Sequence, residues 1–183
     1  MNSSKIIAHF YFRNCTVPDE KISKLLQKGG HKIGFHAEDT KTEDTFKAEL
    51  SVFQKKIKKK ITHFTKHGSG ELKLGKNHYP LYEPEKYKKW GERNNMVYLF
   101  GNGVLNSSLS NTPVFHSDMF WIENWYRNSS FSTIENLIKE AHLYDYVALI
   151  HPSNYETHQK VRDEFKKIIR LIKEGSILIK IIN

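Results

Sequence analysis

The chain has a single cysteine among its 183 residues, Cys15, which excludes an internal disulfide and any zinc site built from several cysteines. No apolar run approaches the roughly 20 residues that a membrane-spanning helix needs. The first residues, Met1 to Ser4, lack the basic and apolar regions of a signal peptide. We therefore expect a cytoplasmic protein without a membrane span.

The sequence also lacks internal repeats, low-complexity linkers and any glycine-rich phosphate-binding loop after a predicted strand; Gly101 and Gly103 alone do not make one. A chain of this length is sufficient for one domain with a sizeable hydrophobic core. We therefore predict a single domain over residues 1–183.

A net charge of +9 would permit a polyanionic partner, but the basic residues are scattered along the chain. The one dense run, Lys55 to Lys60, closes a predicted helix, where lysines also complement the helix dipole. A basic module that binds nucleic acid is therefore disfavoured, and it would predict a steep dependence of binding on salt.

The pattern of apolar residues predicts an α/β fold with parallel strands. Lys5 to Phe12 is almost continuously apolar, as in a strand covered on both faces. A helix begins at Pro18 and ends at Gly29, and a short strand follows from Lys32 to Phe35. Strand, helix and strand joined by short connections form a βαβ unit, which implies parallel strands.

The remaining elements repeat this alternation. Further strands are predicted at residues 61–65, 96–100, 114–120, 146–150 and 176–182, with helices at 42–60, 85–90, 132–143 and 155–174. The polar, turn-rich segment from Glu71 to Pro84 is long for a compact domain, and we expect it to be a binding loop.

Three of the predicted strands end in histidine: His36, His67 and His151. The carboxyl ends of parallel strands collect reacting groups at one edge of a sheet, and Asp118 would join them from a fourth strand. Glu38 and Asp39 follow His36 directly. Imidazoles and carboxylates that converge in this way suit a Zn²⁺-type site, whereas the alternative is a surface loop with helix-capping acids.

Two segments resemble a known family. The order Ala8-His9-Phe10-Tyr11-Phe12-Arg13, a helix, and then Gly30-His31-Lys32-Ile33-Gly34-Phe35-His36 resembles the polysaccharide deacetylases of the NodB-homology type. His67-Gly68 loosely resembles the third motif of that family. Leu149-Ile150-His151-Pro152 resembles its last motif, a strand that ends in a catalytic histidine.

The resemblance implies a distorted, incomplete (β/α) barrel that hydrolyses N-acetyl or O-acetyl groups on a sugar or polysaccharide precursor, with a divalent metal such as zinc. By resemblance His36 is a metal ligand, with Glu38, Asp39 and His67 as further candidate ligands. The candidate catalytic residues are His151, as general acid, and Asp118. The candidate substrate-binding residues are aromatic side chains that would stack on sugar rings, although core packing is the commoner role of such residues: Tyr79, Tyr82, Trp125 and Tyr155.

Two features of the family are missing. Its first strand, which ends in two aspartates, would have to precede residue 5, and the second histidine of its metal site is replaced by Thr40. Activity is therefore expected to be impaired, and the alternative function is a non-catalytic carbohydrate-binding relic of the deacetylase fold. For either function we expect a carbohydrate partner and a role in building a surface polysaccharide or lipid-linked sugar.

Overall fold

The computed structural model describes residues 7–68, 72–99, 117–123, 133–135 and 145–175. The described residues up to 99 form one compact unit, the N-terminal unit, and those from 117 onward form a second, the C-terminal unit. None of the helices in these ranges is long and apolar enough to span a bilayer. The elements are β1 (His9–Phe12), α1 (Glu20–Lys28), β2 (Lys32–Ala37), α2 (Glu43–Ile57), β3 (His63–Lys66), α3 (Pro84–Arg93), β4 (Val97–Tyr98), β5 (Ser117–Trp121), β6 (Asp145–Leu149), α4 (Pro152–Thr157) and α5 (Gln159–Lys173).

The N-terminal unit is a parallel sheet with the strand order β1-β2-β3-β4. Its register aligns an aromatic row across all four strands, because Phe12 pairs with Phe35, Phe35 with Phe64 and Phe64 with Tyr98. This face packs against buried residues of α2 and α3, among them Phe46 and Trp90. The predicted α/β class with parallel strands is thus confirmed, whereas closure into a barrel stays a prediction.

The opposite face of this sheet is polar. Because side chains alternate along a strand, the residues between the aromatic ones project to the other side: His9, Tyr11, Lys32, Gly34, His36, His63 and Thr65. The Tyr11 ring lies directly over Gly34, where a Cβ atom would be 2.3 Å from Cε1 of the ring. A side chain at position 34 therefore cannot be added without moving Tyr11.

The lysine-rich segment closes α2, as the sequence predicts. The helix begins at the N-cap Thr42, whose hydroxyl accepts a hydrogen bond from the N–H of Thr45. It ends at Ile57, and Lys58 adopts a left-handed conformation with φ of 54°. The lysines in its last turn, Lys55 and Lys56, lie where they complement the helix dipole.

The C-terminal unit pairs β5 with β6 in parallel and has a core of Ile122, Ile134, Val161 and Ile168. The single helix predicted from residue 155 to 174 is wrong: the chain forms α4 and α5, which are separated at His158 in an extended conformation. Arg162 stabilises this break, because its guanidinium donates to the carbonyls of Tyr155 and Glu156 at the end of α4.

Several strand boundaries differ from the predicted ones by one to a few residues; β3, predicted at 61–65, spans His63–Lys66. Strand β2 continues to Ala37, so His36 lies within the strand rather than in the loop after it. The described part of β5 is Ser117–Trp121, and the start predicted at Val114 lies outside the described residues. The strand predicted at 176–182 lies outside the described residues, as do Trp125 and the helix predicted at 132–143 except for residues 133–135.

Candidate functional site

Polar side chains at the carboxyl ends of three neighbouring strands meet in the N-terminal unit. Arg13 directly follows β1, Glu38 directly follows β2, and His67 directly follows β3. Nη1 of Arg13 lies 2.9 Å from Oε1 of Glu38 and 3.3 Å from Nε2 of His67. A guanidinium therefore links a carboxylate and an imidazole that the sequence proposes as metal ligands.

His36 lies next to His67. Their ring centroids are 4.9 Å apart and the rings are nearly perpendicular. Nδ1 of His36 is 2.6 Å from the hydroxyl of Thr65, the residue opposite it on β3. The sheet register thus holds the orientation of the His36 ring on the polar face.

His67 is neutral at neutral pH. Burial, and then the neighbouring Arg13 guanidinium, lower the pKa of His67 from 6.5 to about 4. A guanidinium has only donors, so Nε2 of His67 must accept its hydrogen bond.

Hydrogen bonds attach the segment of residues 72–83 to this edge of the sheet. The N–H of Leu74 donates to Nδ1 of His78, so the other ring nitrogen, Nε2, donates to the carbonyl of His67 at 2.9 Å. The N–H of Tyr79 donates to the carbonyl of Glu38 at 3.0 Å. The segment predicted as a binding loop therefore lies beside the gathered polar side chains.

Glu49, on α2, holds the loop that follows β2. Its carboxylate accepts hydrogen bonds from the N–H of Glu38 at 3.1 Å and from the N–H of Asp39 at 2.9 Å. Burial, with the charges of Glu38 and Asp39, raises the pKa of Glu49 to about 7 despite these two bonds. This carboxylate is an acidic group of the site that the sequence did not single out.

Lys66 is a second buried charged group at this edge, on the apolar face of β3. Its ammonium donates to the carbonyls of His67 and Gly68, which fixes the turn after the strand. Burial, and then the charge of Lys86, lower the pKa of Lys66 to about 8. The Lys66 amine thus stabilises the backbone of the turn after β3 by hydrogen bonds.

The candidate ligands do not fit a metal ion as they stand. Arg13 lies between Glu38 and His67, so a positive charge already occupies the space that these two donors share. Oδ1 of Asp39 accepts a long hydrogen bond, at 3.5 Å, from the N–H of Lys41. Within the described ranges no three histidine, cysteine or acidic residues are grouped so that they could hold a metal. Zinc therefore stays a prediction.

Thr40, at the position where the resemblance would lead one to expect a second metal-binding histidine, is fully buried. The hydroxyl of Tyr87 donates to the carbonyl of Leu81 at 2.9 Å, so Thr40 is the donor in its 3.2 Å hydrogen bond to that hydroxyl. Thr40 is thus a packing residue that ties the loop after β2 to α3.

The C-terminal unit contains a buried carboxylate paired with His151. Glu123, two residues beyond β5, is fully buried, and its Oε1 accepts from the N–H of His151 at 2.6 Å. The same oxygen lies 3.1 Å from Nδ1 of His151 and 3.2 Å from Nδ2 of Asn154. Burial opposes ionisation, but the hydrogen bonds from His151 and Asn154 outweigh it and hold the pKa of Glu123 below 4.5.

This pair fixes the orientation of the His151 ring. Because the carboxylate of Glu123 is ionised, Nδ1 of His151 must be the donor between them. His151 has a half-exposed side chain, whereas Glu123 is inaccessible to solvent. A buried carboxylate that orients a half-exposed imidazole is the arrangement of a general acid or base.

The other predicted residues are placed as follows. Asp118 lies in β5 opposite Tyr146 of β6. Tyr82 is partly buried against the core of the N-terminal unit, and the ring of Tyr155 packs edge-on against that of Phe165. The role of all predicted site residues in substrate binding or catalysis stays a prediction.

Arg13 and Glu123 were missed although they obey the positional rule that found His36 and His67. Each follows the end of a parallel strand, Arg13 directly and Glu123 after one intervening residue. Applying the rule to every charged residue after a strand would have found both. Glu49 gave no such signal, because it lies in the middle of a helix.

Comparison with known proteins gives a likeness in fold. No family model matches the chain, and no curated protein shows significant sequence similarity to it. The crystal structure of a CE4 family pseudoenzyme from Bacillus anthracis aligns with a TM-score of 0.53 and 12% identity, over 93% of this chain and 52% of that one. A mutant of that pseudoenzyme with restored enzymatic activity gives a TM-score of 0.53 and 12% identity, over 94% of this chain and 54% of that one.

A second mutant of the pseudoenzyme aligns with a TM-score of 0.54 and 14% identity, over 93% of this chain and 53% of that chain. The chain thus spans about half the length of the structures it matches. At such low identity the likeness concerns the fold alone: the chain has the α/β fold seen in CE4 family proteins, the polysaccharide deacetylases.

Proposed function

We propose that the chain binds carbohydrate that carries acetyl groups, at the edge of the N-terminal sheet where β1, β2 and β3 end, and that metal-dependent hydrolysis is impaired there. The observation that carries the proposal is the Arg13 guanidinium between Glu38 and His67. The fold neighbours support the ligand class, because they are CE4 family proteins and include a pseudoenzyme.

The chemistry of the edge suits a sugar. Guanidinium and carboxylate groups form hydrogen bonds with hydroxyl and acetamido groups without the help of a metal. Beside them, the segment of residues 72–83 exposes apolar side chains to solvent: Leu72, Leu74 and Leu81. A sugar ring offers both polar edges and an apolar face, so it can contact both kinds of surface at once.

A second candidate function is hydrolysis of the acetyl group itself. It is favoured by the Glu123–His151 pair, in which a buried carboxylate holds Nδ1 of the imidazole as a donor. An imidazole oriented in this way could protonate a leaving amine or alkoxide, which is the role that the family resemblance assigns to His151.

Calorimetric titration of the whole chain with an oligomer of N-acetylglucosamine tests the first function, with its fully deacetylated counterpart as control and a chelator present throughout. We expect saturable binding of the acetylated oligomer and weaker binding of the deacetylated one. Absence of binding by the folded chain would contradict the proposal. A separate assay of acetate release, run without chelator on the wild type and on His151→Ala, tests the second function. Release that is lost in His151→Ala would favour hydrolysis.

A further inference from the structure

Hydrogen bonds between Arg13 and Thr16 fix the backbone of Arg13. Its N–H donates to the hydroxyl of Thr16 at 3.0 Å, and the N–H of Thr16 donates back to its carbonyl at 3.0 Å, which closes a tight turn directly after β1. The next residue, Asn14, is fastened to α2, since its side-chain amide donates to the carbonyl of Glu49 at 3.0 Å. The backbone from which the Arg13 side chain extends is therefore fixed by hydrogen bonds.

The guanidinium of Arg13 is partly shielded from solvent. The side chains of Arg13 and Glu38 are 29% and 16% exposed, so their ion pair is partly shielded from water. Its second contact, Nε2 of His67, belongs to a residue that is itself tied to β2 by an N–H bond to the carbonyl of Ala37 at 2.7 Å. Arg13 thus contacts two groups whose backbones are fixed by the ends of β2 and β3.

The guanidinium of Arg13 donates to the same lone pairs of Glu38 and His67 that a metal ion would need. Zinc binds carboxylate oxygens and neutral imidazole nitrogens, here Oε1 of Glu38 and Nε2 of His67. Both atoms accept hydrogen bonds from the guanidinium, which is always protonated and cannot itself ligate a metal. A divalent ion at this place would have to displace the guanidinium, and repulsion between the two positive charges in a partly shielded site would oppose its entry.

We propose that Arg13 acts as a built-in cation that occupies the place of a divalent metal between Glu38 and His67, and that its removal opens a zinc site on these two residues. The ring of His36, which packs against that of His67, is the nearest further donor. The inference concerns the same edge of the sheet as the proposed sugar binding. Its test uses metal alone, so either one can fail without the other.

The experiment is a titration of the whole chain with Zn²⁺ by calorimetry and with Co²⁺ by visible absorption, which reports inner-sphere ligands. The variants are Arg13→Met and the double variant with His67→Ala. Arg93→Met is the matched control, since Arg93 is an arginine at the end of α3 whose ion pair is with Glu43 rather than with Glu38. We expect Arg13→Met to bind one equivalent of metal at least about tenfold more tightly than the wild type.

Arg93→Met should bind metal like the wild type, and the double variant should lose the gain. The proposal is overturned if the wild type already binds one equivalent as tightly as Arg13→Met, or if folded Arg13→Met binds no more tightly than the wild type. Circular dichroism verifies folding of each variant. If Arg13→Met does not fold, Arg13→Gln, which keeps a polar group of similar length without the charge, decides by the same comparison.

Discussion

The guanidinium of Arg13 and the carboxylate of Glu38 form an ion pair at 2.9 Å between residues that each directly follow a strand of the same parallel sheet. The positive charge of Arg13 thus neutralises the negative charge of Glu38 without an added ion. It also leaves an arginine, an acid and two histidines within one small region, where polar ligands can be bound. The proposed sugar binding and the proposed exclusion of metal both depend on this arrangement.

Glu49 is expected to stabilise the loop after β2. Glu49→Ala leaves the N–H groups of Glu38 and Asp39 without their acceptor, and we expect a loss of about 1–3 kcal/mol in the free energy of unfolding. Urea denaturation of the whole chain measures this change. Glu49→Gln keeps one acceptor oxygen and should cost less, so an equal or larger loss in Glu49→Gln would contradict the assigned role.

His9 is expected to make stability depend on pH. Burial, and then the charges of His63 and Lys32, lower the pKa of His9 from 6.5 to about 4. Because the folded state resists protonation, the stability that His9 contributes is fully present above pH 6.5 and is lost as the pH falls towards 4. The measurement is the free energy of unfolding of the wild type and of His9→Phe across this range.

The difference in the free energy of unfolding between the wild type and His9→Phe separates the effect of His9 from that of other groups that titrate in the same pH range. Glu49 acts in the opposite direction, since a pKa raised to about 7 gives a contribution that is present below 4.5 and lost as the pH rises. We expect the stability of the wild type relative to His9→Phe to decrease from pH 6.5 to 4. A difference that stays constant with pH would show that His9 is solvated like an ordinary surface histidine.

Glu123 is expected to fix the tautomer of His151. With Glu123 ionised, Nδ1 carries the proton and donates to the carboxylate. Nitrogen chemical shifts of the His151 ring at high pH should therefore show the Nδ1–H form in the wild type. Glu123→Ala should shift this population towards the Nε2–H form, which is the commoner one in free imidazoles. An unchanged tautomer ratio in a folded variant would remove the support for hydrolysis.

Much of the fold could be predicted from the sequence because its periodicity is clear. The almost continuously apolar run from Lys5 to Phe12 and the two glycines after α1 are local signals of a strand and of a helix end. The break at His158 could not be predicted, because it depends on the Arg162 side chain reaching back to carbonyls of α4. An amphipathic pattern continues across such a break without a visible interruption.

The meeting of polar residues at the strand ends could be predicted from the sequence, whereas the arginine among them could not. The rule that strand ends collect polar residues pointed to His36, Glu38 and His67. It did not show that Arg13 turns towards them, since the direction of a long side chain is set by packing that a sequence does not display. The assignment of zinc relied on counting donors, and the guanidinium among these donors changes what the same residues can bind.

The measurement that tests the central claim most directly is a nuclear magnetic resonance titration of the isotope-labelled whole chain with an oligomer of N-acetylglucosamine, in the presence of a chelator. We predict that the amides with the largest shifts cluster at Arg13, Glu38, His67 and the segment of residues 72–83, which meet at the ends of β1, β2 and β3. Saturable shifts at these positions without metal would establish sugar binding at this edge. Absence of shifts there, or shifts confined to other parts of the N-terminal unit such as α1, would contradict it.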